Sequence, residues 1–110
     1  QKMNLEILEK IGLSKAEIKV YLALLGLGST QSGSIVKETE LRKSTVYESI
    51  GRLQEKGLVS YVIKEGIKYF EATEPERIID FIQEQKRKLN ETEEGAKNLV
   101  IELKKGFDIL

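Results

Sequence analysis

The sequence predicts a mainly α-helical fold with one small β-hairpin and a long C-terminal helix. Apolar residues recur at three- and four-residue steps through most of the 110 residues, whereas β-rich runs occur only at 58–64 and 67–73. Hydrophobic residues make up 40% of the chain and charged residues 33%, which is enough apolar material for a modest core. We expect a compact domain over residues 1–74 and a long helix over 75–110.

The composition excludes several kinds of chemistry. Because the chain contains no Cys and no His, it has no disulfides, thiolate nucleophiles or imidazole acid–base groups. Its neighbouring carboxylates have no nucleophile or metal ligand at a matching spacing, and its glycines fit no nucleotide-binding fingerprint. We therefore expect no enzyme activity, no cofactor and no metal. No apolar run could cross a membrane and no segment resembles a signal peptide, so we expect a cytoplasmic protein.

The first two helices are predicted over residues 4–11 and 14–25. A capping box marks the start of the second, in which the Ser14 hydroxyl accepts from an amide of the first turn and Glu17 reaches back to the cap's own amide. The glycines within 26–28 are expected to end this helix.

A glycine- and serine-rich turn follows at residues 28–33, with room for a residue or two of edge strand. Either Ser32 or Ser34 would cap a short helix over 35–39. After a tight turn, a longer helix is expected over 43–56.

The helix over 43–56 has one apolar arc, formed by Val46, Ile50 and Leu53, with polar residues and Gly51 opposite. A short helix, a tight turn and a longer helix with an apolar inner arc indicate a helix-turn-helix unit. A hairpin follows directly, with a two-residue Glu65-Gly66 loop, and makes this unit a winged helix-turn-helix. In such a fold the second helix enters the major groove of DNA and the hairpin lies over the flanking backbone or minor groove.

The candidate DNA-binding residues are polar side chains at the two helix starts, one turn further along the second helix, and at the hairpin tip: Ser32, Ser34, Arg42, Lys43, Ser44, Thr45, Tyr47, Glu48, Arg52, Lys64 and Lys68. The cations suit phosphates, and the hydroxyls suit phosphates or base edges. Glu48 would accept from a cytosine amino group or reject nonspecific duplex. Two structural alternatives remain open: Lys64 and Lys68 could be edge-strand charges that discourage aggregation, and Tyr47 could be a core residue packed on the hairpin.

Pro75 marks the start of the last helix. Alternating four- and three-residue steps from Ile78 to Leu110 give one fully apolar series and one mixed series. A helix of about 50 Å cannot bury such a stripe against so small a domain, so it predicts a homodimer. The pairing is a coiled coil or, with a bend near Gly95, an antiparallel bundle, and the mixed positions leave its direction open. The dimerisation residues would be Ile78, Ile82, Leu89, Ala96, Leu99 and Leu103.

Several segments together resemble the TrmB family of archaeal and some bacterial winged-helix transcriptional regulators. They are Gly12-Leu13-Ser14 with Ala16-Glu17, Val20 to Leu25, Gly28, Ser44 to Tyr47, Leu53, Lys56 to Val59, and Tyr69 to Ala72 followed by Pro75. The resemblance covers about residues 5–80 and implies sequence-specific binding to promoter DNA as a dimer. The chain departs from the family in its turn, where Glu40 and Arg42 stand in place of Gly and Pro. It also has no segment that could form the sugar-binding domain of large members.

We therefore expect a sequence-specific, homodimeric transcriptional regulator, with helix 43–56 in the major groove and the wing over 58–73 on the flanking backbone. Its partners would be double-stranded DNA and a second copy of itself, with no membrane and no small-molecule effector site. The net charge is zero, with +2 over residues 1–73 and −2 over 74–110, which predicts weak nonspecific affinity. The alternative is a winged-helix module for protein–protein interaction in a larger assembly.

Overall fold

The computed structural model describes the backbone of residues 3–109 and the side chains of residues 3–106. The chain forms two compact units, the first ending at Ile78 and the second beginning at Ile79. The mainly α-helical class with one hairpin is confirmed. The elements in chain order are α1 (Glu6–Lys10), α2 (Lys15–Leu27), α3 (Ser32–Thr39), α4 (Lys43–Glu55), β1 (Val59–Lys64), β2 (Ile67–Ala72) and α5 (Arg77–Ile109). No helix within residues 3–109 is both long and apolar enough to span a bilayer.

The start of α2 follows half of the predicted capping box. The Ser14 hydroxyl accepts from the backbone amide of Glu17 at 3.1 Å, as expected. The Glu17 carboxylate does not return to the cap, because it accepts from Lys56 Nζ instead. At the other end, the helix continues through Gly26 and stops at Gly28, the second of the two glycines that were expected to end it. Gly28 ends α2 with a φ of 74°, a left-handed conformation that glycine adopts without steric cost.

Helix α3 starts three residues earlier than predicted. Its N-cap is Gln31, whose extended backbone lets the helix begin at Ser32, and the Gln31 side chain makes no capping hydrogen bond. Ser32 and Ser34 therefore lie inside the first turn, and the prediction that one of them is the cap is wrong. The helix ends at Glu40, which takes a left-handed φ of 60°.

The core of the first unit combines residues from α1 to β2. Its fully buried members include Val46 and Leu53, with Ile50 2% exposed, so the predicted inner arc of α4 is confirmed. Ser49 lies among them and is also fully buried. The other buried hydrophobic residues are Leu8, Leu13, Val20, Tyr21, Leu24, Ile35, Leu58, Val59 and Phe70.

The hairpin pairs β1 with β2 in an antiparallel register that places Lys64 opposite Ile67. Glu65 and Gly66 both have positive φ, at 52° and 79°, which is the conformation of a tight type I′ turn and matches the predicted loop. Each strand is one residue shorter than expected. Two backbone hydrogen bonds join Thr30 to Phe70, at 2.9 and 2.6 Å, so the predicted edge-strand residue is present beside β2.

The ion pairs of helix α5 involve residues outside the predicted seam. Arg87 pairs with Glu84 and Glu91, and the hydrogen bond from Arg87 lowers the pKa of Glu84. Along the predicted seam, the side chains of Leu89, Leu99 and Leu103 are each more than half exposed in the single chain. Ile78 packs against the core of the first unit, and Leu110 lies outside the described residues.

Candidate nucleic-acid interface

The first turn of α4 is open to an anion. Its N-cap is Arg42, which makes no side-chain capping bond, and the turn contains no acidic residue. Arg42, Lys43 and Ser44 are exposed, and Thr45 is half-buried. The unpaired amides of a helix start carry partial positive charge, so two exposed cations beside them make this end of α4 locally positive. The structure places these four candidate residues at the N-terminus of α4.

The outward face of α4 continues with Tyr47, Glu48 and Arg52. Tyr47 is 48% exposed, so the alternative that it packs as a core residue is wrong. Its hydroxyl forms a 2.9 Å hydrogen bond with the Ser32 hydroxyl of α3, so the tyrosine side chain is tied to the start of that helix. Arg52 Nη2 lies 3.9 Å from Glu48 Oε2, and both side chains are more than half exposed. Because such a surface pair is weak, both groups remain accessible to a partner.

The start of α3 contacts both α4 and the wing, which comprises β1, β2 and their turn. On one side Ser32 binds Tyr47 of α4. On the other side the Gln31 side-chain amide donates to the Tyr69 hydroxyl of β2 at 3.4 Å. Ser34 is exposed and lines a shallow concavity of about 400 Å³, together with Lys37 and Tyr69.

The two lysines of the wing lie over aromatic rings. Lys64 Nζ is 5.8 Å from the centre of the Tyr69 ring, and Lys68 Nζ is 4.3 Å from that of Tyr61. Both lysines are exposed, so their position over the rings leaves the ammonium groups accessible to a partner. Glu65 lies in the turn between them, so the wing tip is of mixed charge.

Sequence reasoning missed Gln31, Lys37 and Tyr69 in this region. For Tyr69 the signal was present: strand alternation places it on the opposite face from Phe70, which has the apolar neighbours of a core residue. Nothing in the local sequence marks Gln31, because its role depends on a partner 38 positions away. Among the described residues, no group of three or more acidic side chains could hold a metal ion.

Comparison with known proteins identifies the family. A family model described as "Sugar-specific transcriptional regulator TrmB" matches residues 8–76, which is more than half of the chain. The chain belongs to the TrmB family. The resemblance inferred from the sequence is thus confirmed, and membership in a family of transcriptional regulators supports the expectation that the chain is not an enzyme.

Several known proteins resemble the chain in sequence or in fold. The chain is 30% identical over 80 residues to the HTH-type sugar sensing transcriptional regulator TrmBL1 of Pyrococcus furiosus. That match covers 73% of this chain but only 23% of TrmBL1. The structure resembles TrmBL2, described as an archaeal chromatin protein that shows a novel mode of DNA binding, with a TM-score of 0.76 and 24% identity over 90% of this chain and 38% of that one. A MarR family protein from Bacillus stearothermophilus is also similar, with a TM-score of 0.57 and 27% identity over 79% of this chain and 64% of that one.

Proposed function

We propose that this TrmB-family chain binds double-stranded DNA in a sequence-specific manner and regulates transcription. The observation that carries the proposal is the uncapped, acid-free start of α4, where Arg42, Lys43 and Ser44 are exposed. In this proposal α4 is the recognition helix and lies in the major groove, while the wing contacts the flanking backbone.

Five further candidate residues divide by chemistry. Arg52, Lys64 and Lys68 contact phosphates, which carry no sequence information. Thr45 and Glu48 face base edges, where Glu48 accepts from a cytosine amino group and disfavours other bases. The zero net charge makes binding depend on these local cations rather than on a long-range field.

The proposal includes a homodimer formed through α5. The exposed side chains of Leu89, Leu99 and Leu103 recur at coiled-coil spacing, and burial against a second copy removes them from water. A symmetric dimer presents two recognition helices to half-sites one turn of DNA apart, about 34 Å. We therefore expect a pseudo-palindromic binding site.

Specific observations also favour a second function, that of a protein-interaction module. At the wing, Ile63 is 62% exposed and Tyr61 is 45% exposed, and Glu65 places a negative charge at the tip. An apolar hairpin with mixed charge suits a protein surface better than a phosphate backbone. DNA binding remains the first proposal because the first turn of α4 has no acidic residue to oppose an anion.

Selection from a random duplex library, followed by a salt titration, tests the first proposal. Selection should enrich one motif with symmetric halves. For the enriched duplex, Lys43→Ala should weaken binding and reduce the slope of log K against log salt by about one, because one phosphate contact is lost. Lys10→Ala, an exposed lysine at the end of α1, is the matched charge control and should leave the slope unchanged. Failure to enrich any motif, or equal slopes for both variants, would contradict the proposal.

A further inference from the structure

We propose that Ser32 and Tyr47 act as one hydroxyl pair that donates a single hydrogen bond to a phosphate of the DNA backbone. This inference rests on the proposed DNA-binding function and assigns a joint role to two residues on different helices. Its basis is the 2.9 Å hydrogen bond between their oxygens, at the surface where α3 meets α4.

The chemistry of the pair leaves one proton for an external acceptor. Each hydroxyl has one proton, and the bond between the two oxygens uses only one of them. If Ser32 donates to Tyr47, the phenolic proton points elsewhere, and if Tyr47 donates, the serine proton does. A hydroxyl that already accepts a hydrogen bond is a stronger donor, since the two bonds polarise each other. In either direction the pair is therefore a single, strengthened donor.

The surroundings favour an anion as the acceptor. Lys43 Nζ lies 6.0 Å from the centre of the Tyr47 ring, so a cation stands beside the pair. The first turns of α3 and α4 contain no acidic residue. Glu48 follows Tyr47 along α4, but its carboxylate lies 3.9 Å from Arg52. Tyr47 is about half exposed and can reach a partner without rearrangement.

Because the pair acts as a unit, loss of either hydroxyl has the same consequence. In Tyr47→Phe the serine loses the partner that orients its proton. In Ser32→Ala the phenol loses the bond that holds it in place and polarises it. Two independent contacts would give additive losses, whereas one shared contact gives a double variant no weaker than either single variant.

A double-mutant cycle measured by DNA binding tests this inference. Ser32→Ala and Tyr47→Phe should each weaken binding about tenfold, and the double variant should be within about twofold of the single ones. The losses should be equal on the selected duplex and on a scrambled duplex, because a phosphate carries no sequence information. Ser32→Thr keeps the hydroxyl and should restore most of the affinity. Melting temperatures should stay unchanged, which distinguishes a role in binding from a role in folding.

A matched control comes from Ser29, which is exposed in the turn before α3. Ser29→Ala removes a serine hydroxyl outside the pair and should leave binding within about twofold of the original protein. Additive losses in the cycle, unchanged binding in either single variant, or a loss confined to the selected duplex would overturn the inference. Failure of the original protein to bind any duplex would instead contradict the proposed function.

Discussion

The Nζ atom of Lys56 lies 3.0 Å from Oε2 of Glu17 and joins the end of α4 to the first turn of α2. The two side chains are only 18% and 4% exposed, so this pair differs from the surface ion pairs of α5. A carboxylate in such a place is stable only with its partner, because an unpaired buried charge carries a large desolvation penalty.

We therefore expect Lys56→Ala to lower the free energy of unfolding by about 2 kcal/mol, less than for a fully buried pair because Lys56 retains some solvent contact. Urea denaturation followed by circular dichroism measures this change. The neighbouring Glu55→Ala removes an exposed charge from the same helix and should change stability by less than about 0.5 kcal/mol. Equal effects of the two substitutions on the free energy of unfolding would show that the buried pair stabilises the protein no more than an exposed charge does.

Ser49 offers a route to a more stable protein. Its hydroxyl is fully buried, and its Oγ atom has no hydrogen-bond partner among the described residues. Ser49→Ala removes this unsatisfied group and should raise the free energy of unfolding by about 1 kcal/mol. Ser44→Ala, on the exposed face of α4, isolates the gain from helix propensity alone and should be smaller. A destabilised Ser49→Ala protein would mean that the hydroxyl has a partner after all.

Glu40 occupies a backbone conformation that suits glycine. Its φ of 60° at the end of α3 is left-handed, which costs a residue with a Cβ atom about 1 kcal/mol. Glu40→Gly should therefore stabilise the protein by about 0.5 kcal/mol after the entropy of glycine is subtracted. Glu40→Ala changes the charge but keeps the Cβ, so it should give no such gain. Thermal melts of both variants and the original protein measure the difference. A gain shared by both variants would point to charge rather than backbone strain.

The proposed dimer depends on the seam of α5. Replacing both Leu89 and Leu103 with Glu places charges along the seam and should convert the dimer to a monomer in sedimentation equilibrium. The adjacent substitutions Asn90→Glu and Lys104→Glu add the same side chains one position away and should leave the dimer intact. A dimer that persists after the seam substitutions would exclude this helix as the interface.

The helix-turn-helix and the hairpin were accessible from sequence because local patterns determine them. Val46, Ile50 and Leu53 recur at helical spacing, and their burial follows from that periodicity. The same spacing includes position 49, three residues after Val46 and four before Leu53. The spacing therefore places position 49 on the buried face, but because serine is polar the hydrophobic pattern does not include it.

The misjudged positions depend on features that local residue preferences do not reveal. Glu17 matched a capping box, but its carboxylate binds Lys56, 39 positions away, because tertiary packing brings the end of α4 over the first turn of α2. The start of α3 was misjudged for a different reason. The serines matched the local preference for a cap, whereas the chain geometry at Gln31 begins the helix before them.

The two backbone hydrogen bonds between Thr30 and Phe70 close the stretch between them into a ring. That ring contains α3, α4 and most of the wing. A closed loop loses little additional entropy when its interior is ordered, because its ends are already held together. These bonds therefore restrain the wing relative to α4. Residues inserted beside Thr30 should loosen both elements, whereas residues inserted at the hairpin tip should lengthen only the wing.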